Sequence, residues 1–327
     1  MEMINSRKTD HLEICAQKDV ESGNPGFDCI ELDARSNPGA DFKAVDTSTK
    51  FLGKKFRFPL MFEAVSGGTR KAGEFNKSLA SIAQEYGLGF GVGSQRAMIE
   101  DKSVADTFKV RDVAPDIFLV ANIGAVQLNY GYGVEQCREA VESIEADALA
   151  LHFNPLQEVF QPEGDTNFYD LTKKVNEVCR KLKVPVIAKG VGNGLNLADV
   201  EKLDVDAIDV GGVGGTSWAI IESGRSGNGC RLFDDFGVPT VECLLELGEL
   251  GKPLIASGGV RSGVDAAKSI ALGASLAGVA LPLVKNYFSG GAKAVEKWLS
   301  QFMFEFKTSM FLTGSFKVED LRGKVLL

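Results

Sequence analysis

Chemically capable residues crowd into one short stretch of this chain. Positions 149–165 read Leu-Ala-Leu-His152-Phe-Asn154-Pro-Leu-Gln157-Glu158-Val-Phe-Gln161-Pro-Glu163-Gly-Asp165, and His152 is one of only two histidines. An imidazole, several amides and three carboxylates therefore follow an apolar run directly. Imidazole and carboxyl groups exchange protons and hold cations, while amides orient a ligand without titrating. An apolar run that ends in such a cluster has the pattern of a buried strand whose C-terminal loop carries chemistry. The bland alternative is a polar loop with a capping histidine.

Two further places suit an anionic, flavin-like ligand. Ser257-Gly258-Gly259-Val260-Arg261 and Gly278-Val-Ala280-Leu281 combine small residues with a cation. Backbone N–H groups and a helix N-terminus there would hold a phosphate, and Arg261 would add a fork of donors. Lys189 ends another apolar run. A cation in that position favours an electron-rich ring, such as the N1–C2=O edge of a reduced flavin. The alternative for Lys189 is a lysine paired with a carboxylate such as Asp209. Asn122 and the hydroxyl of Ser66 would address the flavin's polar edge, beside Ala64 and Val65. Ser94, Thr216 and Ser217 would face the ribityl chain or the phosphate. Near the start, Arg7-Lys8-Thr9-Asp10-His11-Leu12 sets two cations beside the second histidine; read alone, this is a solvated basic turn.

These residues fall at the ends of a repeated unit. From residue 57 onward, a short β-rich apolar run, a glycine or polar junction and a stretch of helical periodicity recur. The runs lie at 59–65, 89–93, 117–123, 148–153, 185–191, 207–210, 253–257 and 276–281. The helical stretches lie at 74–86, 102–112, 134–145, 167–182, 197–203, 239–250, 263–272 and 291–307. Eight strands alternating with eight helices predict an α/β chain folded as a single (β/α)8 TIM barrel. The runs are continuously apolar, as strands buried on both faces require. No GxGxxG follows a strand, which leaves a doubly wound open sheet as the lesser alternative. Barrel enzymes gather their chemistry at the strand C-termini, and nearly every run here ends in a glycine or a hydrogen-bonding side chain. Residues 1–56 read as a polar, irregular N-terminal cap and 57–327 as the barrel. The junction 211–236 is long and glycine-rich, which predicts a lid or binding loop.

A net charge of −8 argues against nucleic acid and anionic membranes as partners. It leaves room for a small anion held by local cations. No apolar run reaches membrane-spanning length and no hydrophobic signal segment is expected. Cys15, Cys29, Cys137, Cys179, Cys230 and Cys243 form no CxxC pair; they read as reduced thiols of a cytoplasmic protein.

Taken together, Arg7-Lys8-x-x-His11-Leu12, Ser66-Gly67-Gly68, Gly93-Ser94-Gln95-Arg96, Asn122-x-Gly124-Ala125, His152-x-Asn154-x-x-Gln157-Glu158, Gln161-Pro162-Glu163-Gly164-Asp165 and Gly211-Gly-x-Gly-Gly-Thr216-Ser217-Trp218 resemble the type II isopentenyl-diphosphate isomerases. The motifs keep that family's order through essentially the whole chain. The resemblance implies an FMN-bound barrel that interconverts isopentenyl and dimethylallyl diphosphate. It also implies a need for Mg²⁺, for NADPH or another reductant to hold the flavin reduced, and a homo-oligomer, either tetramer or octamer. On that footing the ligand is a small diphosphate, clamped by Arg7, Lys8, His11, Arg96, His152 and Asn154 with Ser94 nearby. Glu158 would hold Mg²⁺, and Gln157 with His152 would stand at the reacting end. Flavin contacts would fall to Ala64, Val65, Ser66, Ser94, Asn122, Lys189, Thr216, Gly259, Arg261, Ala280 and Leu281.

Two positions depart from the family pattern. Val65 stands where a methionine is usual, and Gly190 replaces the glutamate usual after the lysine, so a carboxylate beside Lys189 is missing. Rival readings fit less of the sequence. An FMN-dependent 2-hydroxy-acid oxidase wants adjacent histidine and arginine after strand 7, where this chain has Arg261 alone. An inosine-monophosphate-dehydrogenase-like enzyme wants a cysteine early in the loop after strand 6. A non-catalytic flavin-binding barrel would explain the two departures as drift.

Overall fold

Eight of the apolar runs pair side by side in parallel and close on themselves. They are β1 (Leu60–Phe62), β2 (Gly89–Gly91), β3 (Phe118–Gly124), β4 (Ala148–Phe153), β5 (Val186–Gly190), β6 (Ala207–Asp209), β7 (Leu254–Ser257) and β8 (Leu276–Val279), following one another around a closed barrel. Every strand falls on a run expected from sequence, with β3 extending one residue past its run to Gly124. The computed structural model describes residues 2–39, 41–227 and 231–326, without the side chains of residues 2–7 and 9.

Helices alternate with the strands: α1 (Glu2–Gln17), α2 (Arg70–Tyr86), α3 (Arg96–Glu100), α4 (Val134–Glu142), α5 (Pro155–Phe160), α6 (Leu171–Lys181), α7 (Leu197–Val200), α8 (Trp218–Ser226), α9 (Thr240–Leu247), α10 (Gly263–Ala271) and α11 (Leu281–Leu312). Several differ from expectation; α5, for one, forms in what reads as the loop after β4. The 102–112 stretch holds α3's sequel only as a 3-10 turn, Lys102–Thr107. The 211–236 junction contains α8, capped by the Ser217 hydroxyl, which accepts from Ile220 N–H. It is thus partly a packed helix rather than an open lid. Finally, α1 occupies what reads as irregular cap.

The segment expected to form one cap serves both ends of the barrel. Thr49–Phe51 and Lys54–Phe56 pair as an antiparallel hairpin that brings Phe51 and Phe56 onto the strand starts at Phe118, Ala148, Ala207 and Leu276. The rings of Phe51 and Phe118 meet edge to face at 5.6 Å, an arrangement that adds to their burial. This closes the N-terminal end of the barrel. At the other end, α1 packs against α2, α8 and α11 and covers the strand C-termini.

Strand register then sets the chemistry at a common level. Gly124 pairs with His152, His152 with Lys189, and Lys189 with Asp209. Three neighbouring strands therefore deliver an imidazole, an ammonium and a carboxylate to one rung of the rim.

A candidate active site at the strand C-termini

One cavity of about 170 Å³ opens at this rim. It is lined by Ala64, Val65, Ser94, Arg96, Asn122, His152, Asn154, Gln157, Glu158, Lys189, Thr216, Gly259, Arg261, Ala280 and Leu281, together with Lys8 and His11 from α1. These are the residues singled out from sequence, drawn from all over the chain. Others stand apart: the Ser217 hydroxyl, expected to face the ribityl chain or phosphate, caps α8 instead and does not line the cavity. Ser66 is fully buried behind the wall and donates its hydroxyl to the Lys8 carbonyl at 3.3 Å, which corrects its placement on a flavin edge: the hydroxyl anchors α1 instead. The side chain of Arg7 and the whole of Cys230 lie outside the described residues.

The upper part of the cavity is built around α5 and α8. Asn154 precedes α5, and its amide N–H donates to Gln157 Oε1 at 3.0 Å and Glu158 Oε1 at 2.9 Å. Gln157 Nε2 in turn donates to Glu222 Oε1 at 3.0 Å, so both ends of the Gln157 amide are held. His11 Nε2 meets the same oxygen at 2.9 Å, with the Trp218 ring edge-on to the imidazole at 5.1 Å. Arg225 donates to the other oxygen of Glu222. Burial pulls the Glu222 carboxyl upward, but the His11, Gln157 and Arg225 hydrogen bonds outweigh it and hold the group at about 2. It is a carboxylate throughout the ordinary pH range. Sequence reading missed Glu222 because its segment was taken for a loop. A serine N-cap ahead of Trp-Ala-Ile-Ile-Glu was the available signal.

Glu158 is buried, which raises its carboxyl above the usual range against the pull of Asp165 N–H and Asn154. Asp165 N–H donates to Glu158 Oε2 at 2.7 Å. The Oδ1 of Asn154 is buried without a partner beside it. A carboxylate and an amide oxygen, both hard donors, suit a Mg²⁺ ion that takes few protein ligands and completes its shell with phosphate and water. Arg96 is held at the rim by Glu100 at 2.8 Å and Asp165 at 2.6 Å.

His152 directs Nδ1 at the Asn122 side-chain oxygen, 2.7 Å away, which places a proton on Nδ1 and leaves Nε2 unprotonated. Burial, with Lys8 and Lys189 nearby, drives the imidazole down to about 3. The ring is neutral.

On the floor of the cavity, Lys189 Nζ donates to Glu63 Oε2 at 2.7 Å and also to Asp209. Asp209 accepts a second donor, the Ser257 hydroxyl. Burial works against the Lys189 cation, but the Asp209 and Glu63 carboxylates hold it charged, above the normal lysine range. The pairing with Asp209 and the position facing the cavity hold together. Glu63, the second partner, was not legible in sequence: it sits at the end of an apolar run without any motif.

The loops after β7 and β8 fit a phosphate. Gly258 and Gly259 have φ of +97° and +74°, and a Cβ on Gly259 would meet the Gly214 carbonyl oxygen at 2.6 Å. Only glycine packs its backbone there. The N-terminus of α11 opens at Ala280 without a side-chain cap, and Ala280 and Leu281 line the cavity. Arg261 is positioned by Glu21, whose segment also bridges to Thr216. A small-residue phosphate cradle, a lysine on the floor and polar strand tips around a wide cavity fit flavin mononucleotide.

Fold and site together define a flavin-type (β/α)8 barrel, and the FMN-dependent dehydrogenase family matches residues 136–327. Solved structures share the architecture. A mutant flavocytochrome b2 with pyruvate bound aligns at TM-score 0.71 and 18% identity, covering 97% of this chain and 82% of that one. A mandelate oxidase mutant with the monooxide FMN adduct aligns at TM-score 0.63 and 17% identity, covering 99% and 95%. At that identity the likeness is one of fold. Much nearer in sequence is isopentenyl-diphosphate delta-isomerase of Nostoc sp., 46% identical with 97% of this chain and 94% of that protein covered. The enzymes of the same name from Methanoregula boonei and Methanosarcina mazei are each 44% identical; 97% and 98% of this chain and 92% of each of them are covered. The chain belongs to the isopentenyl-diphosphate delta-isomerase family.

Proposed function

We propose that this chain interconverts isopentenyl and dimethylallyl diphosphate over reduced FMN, with Glu158 as the residue that would hold a Mg²⁺ ion to neutralise diphosphate charge. The observation that carries the reading is the single cavity in which α1 lays Lys8 and His11 over strand tips suited to a flavin. Double-bond transposition adds one proton and removes another two carbons away, with no net redox change. Bound reduced FMN supplies an electron-rich, proton-exchanging face beside the alkene.

The protein's own residues do the rest. Lys8 and Arg96, with Arg7 on the same helix as Lys8, supply cations for a trianion through charge-assisted hydrogen bonds, with the His11 ring beside them. A diphosphate beside Lys8 would offset that ammonium's effect on His152 and lift its proton affinity, against the burial that remains the larger influence. Gln157 does not titrate; fixed between Asn154 and ionised Glu222, its amide orients a proton path at the alkene end. Covering by α1 and α8 keeps water from the allylic transition state. Ala64, Val65, Asn122, Lys189, Thr216, Gly259, Arg261, Ala280 and Leu281 would hold the flavin. NADPH is the proposed reductant and a homo-oligomer the proposed assembly. No helix among the described residues is long and apolar enough to cross a membrane.

The test is direct. FMN-loaded protein, reduced anaerobically with NADPH, receives isopentenyl diphosphate and Mg²⁺ in deuterated water. Dimethylallyl diphosphate carrying deuterium is expected, and chelating the metal should stop its formation. Yellow protein that forms no product would sink the reading in favour of a non-catalytic barrel.

A further inference from the structure

Glu63 follows β1 directly and Lys189 lies in β5, on opposite sides of the barrel; the two side chains meet across its floor. All three members of the cluster, Lys189, Asp209 and Glu63, are buried. Among the described residues lining the small void beneath the cavity, these are the only titratable ones. Above them stand neutral His152 and the Lys8 ammonium. Two carboxylates sharing one ammonium would bury a net negative charge, which is costly, so the cluster is complete only with one proton. Geometry assigns that proton. Asp209 receives both Lys189 and the Ser257 hydroxyl, whereas Glu63 receives Lys189 alone and its Oε1 is buried without a partner. The carboxyl cannot come from position 190, where a Cβ would meet the Val210 carbonyl oxygen at 2.3 Å. This chain brings it from the far strand instead.

We propose that Glu63 is held as a neutral carboxylic acid in the pocket floor, where with Lys189 it sets the charge beneath the bound flavin ring. This rests on the flavin reading above. While Glu63 is protonated, Lys189 and Asp209 balance each other. Its ionisation puts a negative charge under the edge that Lys189 faces and disfavours the anionic reduced flavin.

Two measurements test it. In pH-difference infrared spectra of the wild-type protein, the carbonyl stretch of a protonated carboxyl should be present at neutral pH and disappear near pH 8. The band should be missing in Glu63→Gln, and in Glu63→Ser should the first variant fold poorly. In the holoprotein, the visible spectrum of the reduced flavin should show the same alkaline transition, lost in either variant. An ionised Glu63 at neutral pH, or a reduced-flavin titration unaltered by the substitutions, overturns the proposal. Whether FMN stays with wild-type protein through gel filtration judges the flavin reading separately, and the infrared result decides the protonation state in either case.

Discussion

At the level of single residues, charge in this pocket is fixed by hydrogen-bond geometry more than by exposure. Glu222 is fully buried yet ionised because three donors converge on it. Glu222→Gln keeps the volume and removes the charge, so His11 loses its carboxylate acceptor and the Gln157 amide is free to turn. A misplaced reacting group costs about 10²-fold in rate; kcat should fall by that order while FMN affinity, read by fluorescence titration, holds. His152 makes the opposite bargain. Its imidazole drops from 6.5 unfolded to about 3 folded, so between those values the unfolded chain binds a proton that the folded chain refuses. Stability must therefore fall as pH falls below about 6.5. Glu222 contributes in the same direction but in a lower window: its stabilisation is present above its ordinary value of 4.5 and is lost as pH falls toward about 2. In the window from pH 6.5 to 4.5 Glu222 is silent, and the raised carboxyls of Glu63 and Glu158 contribute with the opposite sign, so His152 is isolated by the difference between a variant and the wild type. Melting temperatures of His152→Gln should decline less across it than those of the wild type, and equal slopes would contradict the buried neutral imidazole.

At the level of elements, the strands were legible and α1 was not, for one physical reason. A barrel strand is buried on both faces, so its run is apolar without interruption, as at 148–151. A helix announces itself by an apolar stripe, but the buried face of α1 carries Lys8 and His11 beside Leu12 and Cys15. Polar residues that line the cavity replace part of the stripe, and the periodicity disappears with it. The same masking hid α8, whose buried Glu222 breaks its apolar side. The site itself was legible where strand ends carry short motifs, and illegible at Glu63, where the partner comes from across the barrel. If α1 serves chiefly to bring cations to the diphosphate, Lys8→Ala should raise KM more than it lowers kcat. Losing one hydrogen bond to a charged group costs about 1.5–3 kcal/mol, an increase of roughly 10- to 100-fold. Steady-state kinetics at saturating Mg²⁺ would check it; a pure kcat effect would move Lys8 from binding to chemistry.

At the level of the whole molecule, stability and chemistry occupy opposite ends of one barrel. The hairpin at residues 49–56 plugs the N-terminal end with Phe51 and Phe56, whereas every cavity-lining residue lies at or beyond the strand C-termini or on α1. Sites more than about 7–10 Å apart that share no partners respond to substitution nearly independently. Phe51 is 2% exposed, and it lies outside the barrel strands, so Phe51→Ala leaves strand pairing intact while opening a void against Phe56 and Phe118. The expected loss is about 3–5 kcal/mol, read as a lower midpoint in urea. The smaller truncation Phe51→Leu should lose less, since it leaves a smaller void. For both variants, kcat, KM and the flavin spectrum at room temperature should match the wild type, because the substitution touches none of the groups that hold ligand. A variant that stays folded but loses isomerase activity in proportion to its stability would mean that the two ends are mechanically coupled, and that the plug helps to set the register at which His152, Lys189 and Asp209 meet.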